Sequence, residues 1–273
     1  MTIREIIEQG LYYARTCRSL WLFGFFAGMA SANVQYIHKG EGDAAGFPDA
    51  ATIAAIAIVL VIAIAAACVV RFISEGALIE GIVTARRGGA MTTGEAFHAG
   101  LAHWGVLVRI ALLYFAVTIS TVAVLGVACV IALRALGLVP ALVLGIPAAA
   151  IAVPFLVTIY LVQAFAMRIA VLEDRHALDA IGKARLFLHG RLVHGLKLIA
   201  ATLLGSLAIL LPAVLVIAPI VLVLVVLIPV LRFFPVIVLG CAILLPIIFV
   251  LSAVMGTFRS SIWTIGYVTQ VES

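Results

Sequence analysis

The amino-acid sequence predicts an all-α integral membrane protein, a six-helix bundle. Three observations lead there. Residues 19–38, 50–70, 110–133, 135–167, 198–231 and 233–258 contain no Asp, Glu, Lys or Arg. Each run is long enough to cross the hydrocarbon core, which takes about 20 apolar residues in a helix. Hydrophobic residues make up 66% of the chain and charged residues 11%, too few charges to coat a soluble domain of this length. The runs are also apolar on every face, as in LVIAIAAACVV and VLVIAPIVLVLVVLIPVL. A transmembrane barrel would alternate apolar and polar residues over about ten-residue strands. Helices, which satisfy their own backbone in lipid, are left.

The cations are distributed unevenly. With six spans and both termini on one side, that side carries Arg4, Arg15, Arg18, Arg71, Arg86, Arg87, Arg109, Arg168, Arg175, Lys183, Arg185, Arg191, Lys197 and Arg259. The other side carries Lys39, Arg134 and Arg232. The positive-inside rule then places both termini in the cytoplasm of a cell (inner or plasma) membrane. The net charge of +5 matches anionic headgroups as partners and gives no sign of nucleic acid. Residues 1–18 contain Glu5 and Glu8 and lack an apolar core, so no cleavable signal is expected and the first span acts as the anchor. The cysteines are far apart and form no CxxC, which suits small core residues.

One transmembrane domain is expected over 1–273, with spans at about 19–37, 51–70, 106–133, 140–167, 195–220 and 235–258. Before the first span, Ile3, Ile6, Ile7, Leu11 and Ala14 recur at helical spacing, so residues 2–17 form a short cytoplasmic helix along the membrane surface. HKGEGDAAGFPDA is an outer loop. The second helix continues through Arg71 to Arg87 and stops at Gly88-Gly89. Thr92 and Glu95 have capping-box spacing and open a second short helix over 92–104. A third short helix covers about 175–189, with Asp179 and Lys183 at the favourable i,i+4 spacing. The run 198–231 would be about 50 Å long as a straight helix. Pro212, Pro219 and Pro229 either kink it or its end folds along the outer surface. Residues 259–273 are a short cytoplasmic end.

A short helix thus precedes spans 1, 3 and 5, with Glu8, Glu95 and Asp179 at matching places. The pattern predicts three repeats of a surface helix plus a two-span hairpin.

Candidate site residues lie near the cytoplasmic interface. Arg71, Glu75 and Glu80 sit on the extension of span 2, and Arg109 about one turn into span 3. Arg109 either binds a lipid phosphate, pairs with Glu75 or Glu80, or simply anchors the helix. Its replacement by Ala is expected to weaken association with anionic lipid. Arg175, Lys183, Arg185, Arg191 and Lys197 complete the set of headgroup or interface candidates. His98 and His103 recur in spacing as His189 and His194, but one ExxH pair (Glu95, His98) falls short of a di-metal site. No metal or other cofactor is predicted. Ser and Thr at 118–121, Gln163 and Ser206 are the main mid-span polar groups, and no hydrolase, metalloprotease or nucleotide-binding motif is present.

The segment AVLEDRHALDAIGKARLFLHGRLVHGLKL resembles the stretch between spans 4 and 5 of a broad prokaryotic family of polytopic proteins. That family is similar to the membrane domain attached to some glycerophosphoryl diester phosphodiesterases. GALIEGIVTARRGGAMTTGEAFHAGLAHW and FRSSIWTIGYVTQ fit the same pattern, as do the acidic-Ala pairs Glu95-Ala96 and Asp179-Ala180. The resemblance implies a six-span helical fold and association with lipids or a partner enzyme. It does not imply hydrolysis, because a catalytic barrel of roughly 200 residues or more has no room here.

The expected function is therefore a non-enzymatic multi-pass protein, a lipid-associated or partner-binding scaffold, with a homo-oligomer left open by the small residues of the spans. The alternative is a transporter or channel for an apolar or amphipathic solute, resting on the Pro-rich spans. A membrane-embedded lipid enzyme would need Arg109, Glu75, Glu80 and a His to converge. A polar cavity discriminates between a transporter and a dry scaffold.

Overall fold

The computed structural model describes residues 2–29, 50–231 and 233–272, and every regular element among them is helical. The helices are α1 (Ile3–Thr16), α2 (Trp21–Met29), α3 (Ala50–Arg86), α4 (Thr93–Leu136), α5 (Leu138–Leu172), α6 (Ala177–Leu188), α7 (Leu192–Leu231) and α8 (Phe233–Glu272). A 3₁₀ turn, Arg18–Leu20, joins α1 to α2.

Five helices are long and apolar enough to cross a membrane: Ala57–Arg86, Thr93–Ala135, Leu138–Leu172, Leu192–Leu227 and Pro235–Glu272. The chain is a multi-pass helical membrane protein. These helices correspond to the expected spans two to six. Of the expected first span, α2 covers Trp21–Met29, and the rest lies outside the described residues together with the outer loop.

Local signals place most helix ends. Thr92 caps α4 by accepting from the Glu95 N–H, while the Glu95 carboxylate accepts from the Thr92 N–H. The same reciprocal box, Thr2 with Glu5, opens α1. α3 ends at Arg86, and Gly88 follows at φ +79°. A single residue, Gly137, joins α4 to α5 at φ 82° and ψ 177°, a conformation that residues with a Cβ avoid.

Two expectations are corrected, and one that was left open is decided. Residues 92–104 are not a separate surface helix: they are the first turns of α4, which runs unbroken to Leu136. Nothing in GLAHWGVL breaks a helix, so the capped start propagates into the span. Residues 259–273 are not a short end: α8 continues through them to Glu272. Of the two alternatives for 198–231, the structure takes the single helix: α7 extends from Leu192 to Leu231. Pro212 and Pro219 are accommodated within it, as proline often is in membrane helices.

α7 and α8 form an antiparallel pair. Gly266 packs on Leu198, Gly205 on Phe258 and Gly240 on Leu224, so residue numbers rise on one helix as they fall on the other. α2 lies antiparallel to α8, with Gly24 against Gly256 and the rings of Phe25 and Phe249 4.3 Å apart. A Cβ on either glycine would overlap backbone or side-chain atoms of the opposing helix. α1 crosses the same post, with Gly10 against Phe258 and Ile262.

The core lies at the charged end of the bundle. It contains Ile6, Ala14, Leu107, Ile110, Leu161, Phe165, Ile169, Ala180, Ala184, Leu198, Phe258, Ile262 and Trp263. A second cluster joins Leu20, Phe23, Ala77, Leu78, Ile82 and Ile265. Beyond these, the helices are mostly bare: Ile58 to Ile64 of α3, Leu112 to Leu133 of α4 and Leu203 to Val226 of α7 include long series of exposed apolar side chains. These faces suit hydrocarbon, which solvates them without a protein partner.

Candidate functional site

Where the packed end meets the bare apolar helices, Arg168 of α5 reaches across to Glu75 of α3. Its Nη2 donates to Glu75 Oε1 at 3.0 Å, and its Nη1 donates to the Ala164 carbonyl at 2.8 Å. Arg168 is 4% exposed, and its Nε–H has no partner. α3 can approach closely here because its neighbours are small. Gly76 packs on Gly100 of α4, and the buried Ser74 hydroxyl donates to the Val70 carbonyl of its own helix at 2.7 Å.

This pair forms part of the wall of a cavity of about 490 Å³. Arg71, Phe72 and Glu75 come from α3, and Tyr160, Gln163 and Arg168 from α5. Ser206 and Leu210 come from α7 and Ser252, Arg259, Ser260 and Trp263 from α8, while α2 contributes Ala27. Among the described residues its charged lining is Arg71, Arg168 and Arg259 together with Glu75. Ser260 is 5% exposed, and its hydroxyl also lacks a partner. The cavity size is in the range of small-molecule sites. It can hold an anion among fixed donors while its neighbours Leu210 and Leu251 offer apolar surface.

The candidate residues separate into three groups. Arg71 and Glu75 belong to the cavity. Arg109 does not: it is exposed on α4 and makes no ion pair among the described residues, so its pairing with Glu75 or Glu80 is not formed. Arg168 takes Glu75 instead, because α5 rather than α4 presents a cation to that face of α3.

Glu80 lines a different depression with Arg86, Arg87, Glu173, Tyr267 and Glu272. Arg86 bridges to Glu272 at 2.6 Å and tethers the ends of α3 and α8. Lys183 pairs with Glu173, not with Asp179 one turn before it on α6. Arg175 lies 3.8 Å from the same carboxylate, and the Tyr267 hydroxyl donates to it at 2.7 Å. Burial pushes the Glu173 carboxyl up, but the hydrogen bonds from Lys183 and Tyr267 and the charges of Lys183 and Arg175 outweigh it and hold the group below its ordinary range.

Arg185, Arg191 and Lys197 are exposed, with Arg191 5.1 Å over the Phe187 ring. None of the three lines the cavity. His103 approaches Asp174 at 3.8 Å, and His194 approaches the Gly266 carbonyl at 3.3 Å. Among the described residues, no three His, Cys, Asp or Glu side chains gather as metal ligands would.

The sequence reading did not single out Arg168, Arg259 or Ser260 as site residues. Arg168 had one available signal: it follows directly on an uncharged run of 33 residues, 135–167, so it enters at the end of a span. The signal for Ser260 is the cluster of small polar residues in FRSSIWT at a helix-packing position. Gln163 and Ser206, noted as mid-span polar groups, both prove to face the cavity. Comparison with family models, curated proteins and solved structures finds no match, and the reading of this site rests on its residues.

Proposed function

We propose that this chain is a lipid-binding module of the cell membrane, a non-enzymatic multi-pass protein that takes an amphipathic anion into the α3–α5–α7–α8 cavity. One observation carries the reading: a cavity walled by arginines, serines and apolar side chains sits at the junction between packed protein and bare apolar helices. A lipid matches that junction, with its headgroup in the cavity and its tails against the exposed apolar faces. In this reading both termini and the cavity's charged end are cytoplasmic, on the basic side of the chain. In the same reading the chain makes six spans, with α2 belonging to the first. Three units open on the first-turn acids Glu5, Glu95 and Asp179. Glu5 replaces Glu8 in this set, since Glu8 instead pairs with Arg4 at 2.8 Å. The resemblance to the membrane domain of phosphodiesterases agrees with a lipid-associated role.

Native mass spectrometry of the gently solubilised protein tests this. Wild type should keep a lipid at fixed stoichiometry, and Leu210→Trp, which fills the cavity from its exposed side, should lose it. A chain that retains no lipid but carries another protein would overturn the lipid reading in favour of a partner-binding scaffold. Transport of an amphipathic solute is the second reading, favoured by Gln163 and Ser206 on the cavity wall. Proteoliposomes that move such a solute, and stop on Leu210→Trp, would establish it.

A further inference from the structure

We propose that α6 and the first turns of α7 form a docking surface for anionic membrane lipid, with α6 lying in the headgroup layer. This surface is separate from the cavity and does not depend on what the cavity holds.

α6 is apolar on two sides. Ala180, Ala184 and Leu188 pack into the core. On the opposite side Leu178, Gly182 and Leu186 follow one another at i, i+4 and i+8, on one stripe. Leu178 is 73% exposed and Leu186 78%, and nothing stands within 4 Å of where a Gly182 side chain would be. A helix with water on its outer side carries polar residues there. Here the outer side is a leucine stripe.

The depth of α6 follows from what it touches. Residues 174–176 turn the chain back after α5. The Phe187 ring then lies 5.1 Å from that of Phe165. Phe165 belongs to the uncharged run 135–167 and stands about 12 Å along α5 from Glu173. α6 therefore runs antiparallel to α5, from its charged end toward its apolar part. Gly195 of α7 meets Leu161, one turn further into the same run. Leu186 and the start of α7 are thus level with the edge of the apolar segments, and Leu178 is nearer the charged end.

Charge identifies the occupant. Arg185, Arg191 and Lys197 are exposed and make no ion pair among the described residues. Arg191 stacks over Phe187, and Lys197 follows Gly195 by two residues. Exposed Leu192, Val193 and Leu196 stand among them. Cations on long stems among exposed apolar residues suit a headgroup layer, where the stem lies on acyl chains and the charge meets phosphate. The nearby acids do not cancel them. Glu173 is taken by Lys183 and Arg175, and Asp174 faces His103. Asp179 lies in the first turn of α6, at the far end from Arg191 and Lys197. A second copy of this chain would set the same cations against one another, so lipid is the better occupant.

Two measurements on the full-length chain test this, in vesicles of dioleoylphosphatidylcholine and dioleoylphosphatidylglycerol in equal amounts. In the first, Cys17, Cys68, Cys129 and Cys241 are replaced by Ala, and single nitroxides are placed through Leu186→Cys, Leu178→Cys and Arg175→Cys. The Leu186→Cys label should be relaxed mainly by oxygen, the Leu178→Cys label less so, and the Arg175→Cys label mainly by a water-soluble nickel chelate. The second leaves the native cysteines in place and measures spin-labelled lipid at the protein boundary. Wild type should prefer phosphatidylglycerol over phosphatidylcholine about threefold. The triple variant Arg185→Gln, Arg191→Gln, Lys197→Gln should bring the two toward equality, and Arg71→Gln, in the cavity, should leave the preference unchanged.

Labels at Leu178→Cys and Leu186→Cys that respond to nickel as Arg175→Cys does would overturn the proposal, because the stripe would then face water. Dipolar broadening between singly labelled chains would overturn it in favour of a second copy. A preference kept in the triple variant but lost in Arg71→Gln would move the anionic-lipid contact to the cavity, overturning the α6 surface and leaving the lipid-binding reading standing.

Discussion

The same helices live in two environments. At their charged ends, α3, α4, α5, α7 and α8 pack around Phe165, Phe258 and Trp263 with small residues at the crossings. Further along, their side chains stand free: Val124 of α4 is 69% exposed and Leu215 of α7 75%. Ala141, Leu224 and Val236 are buried exceptions in the apolar part. The difference teaches where stability resides. Helix-to-helix packing is concentrated at the charged end, whereas the apolar part relies on the bilayer for solvent and on its own backbone hydrogen bonds. The cavity lies at the boundary, where packing is released and polar groups remain.

Substitutions on either side of this boundary should therefore behave differently. The largest effect is expected at the Arg168–Glu75 pair. Arg168→Met leaves a partly buried carboxylate without its cation and should cost about 3–5 kcal/mol in a thermal or denaturant melt in detergent. Combining it with Glu75→Gln should recover most of that loss. A double variant as unstable as the single one would show that the pair is not the source.

Glycines sharpen the comparison next. Gly256→Leu drives a side chain into the Gly24 carbonyl and should cost about 1–3 kcal/mol or more. Gly126→Leu, on bare α4 with open space where its side chain would stand, should stay within about 0.5 kcal/mol. Equal melting losses for the two would mean that the apolar part is packed after all, against a second copy or another chain.

A smaller, pH-dependent effect is expected at Glu173. Its carboxyl is held below the ordinary range in the folded protein, so the stabilisation is present above the unfolded pKa and is lost as pH falls through the folded one. Glu173→Gln should lower stability by about 1–2 kcal/mol at neutral pH, and the gap to wild type should close on acidification. A gap that stays constant from neutral to acid pH would exclude the ionised carboxylate as its cause. The smallest effect belongs to the α4 cap: Thr92→Ala should cost about 1 kcal/mol or less, read as reduced protection of the first amides of α4 in hydrogen exchange.

Local chemistry made part of this structure legible from the residues alone. The uncharged runs, the Thr92–Glu95 capping box, the stop before Gly88 and the helix now seen at Ala177–Leu188 are each decided within a few neighbouring residues. The α4 start was legible but its independence was not, since a helix with no breaker propagates into whatever follows. The C-terminal stretch is a similar case: residues 259–273 read as a short cytoplasmic end after the last span, yet α8 continues to Glu272. In the structure Thr257 and Ser261 turn their hydroxyls back to carbonyls of their own helix, Ala253 and Thr257, and become buried packing residues.

The sequence by itself determined the class of this protein: a helical chain whose solvent is lipid, because apolar runs of this length and so few charges leave no other stable state. Only the tertiary structure decided which charges meet. Glu75 and Arg168 lie 93 residues apart, and no periodicity links them. Neither does any local pattern bring Ser206, Arg259 and Ser260 to one wall. Local propensities act over a turn or two of helix. The cavity exists because the glycine crossings set which faces of α3, α5, α7 and α8 converge, and that choice belongs to the packed bundle as a whole.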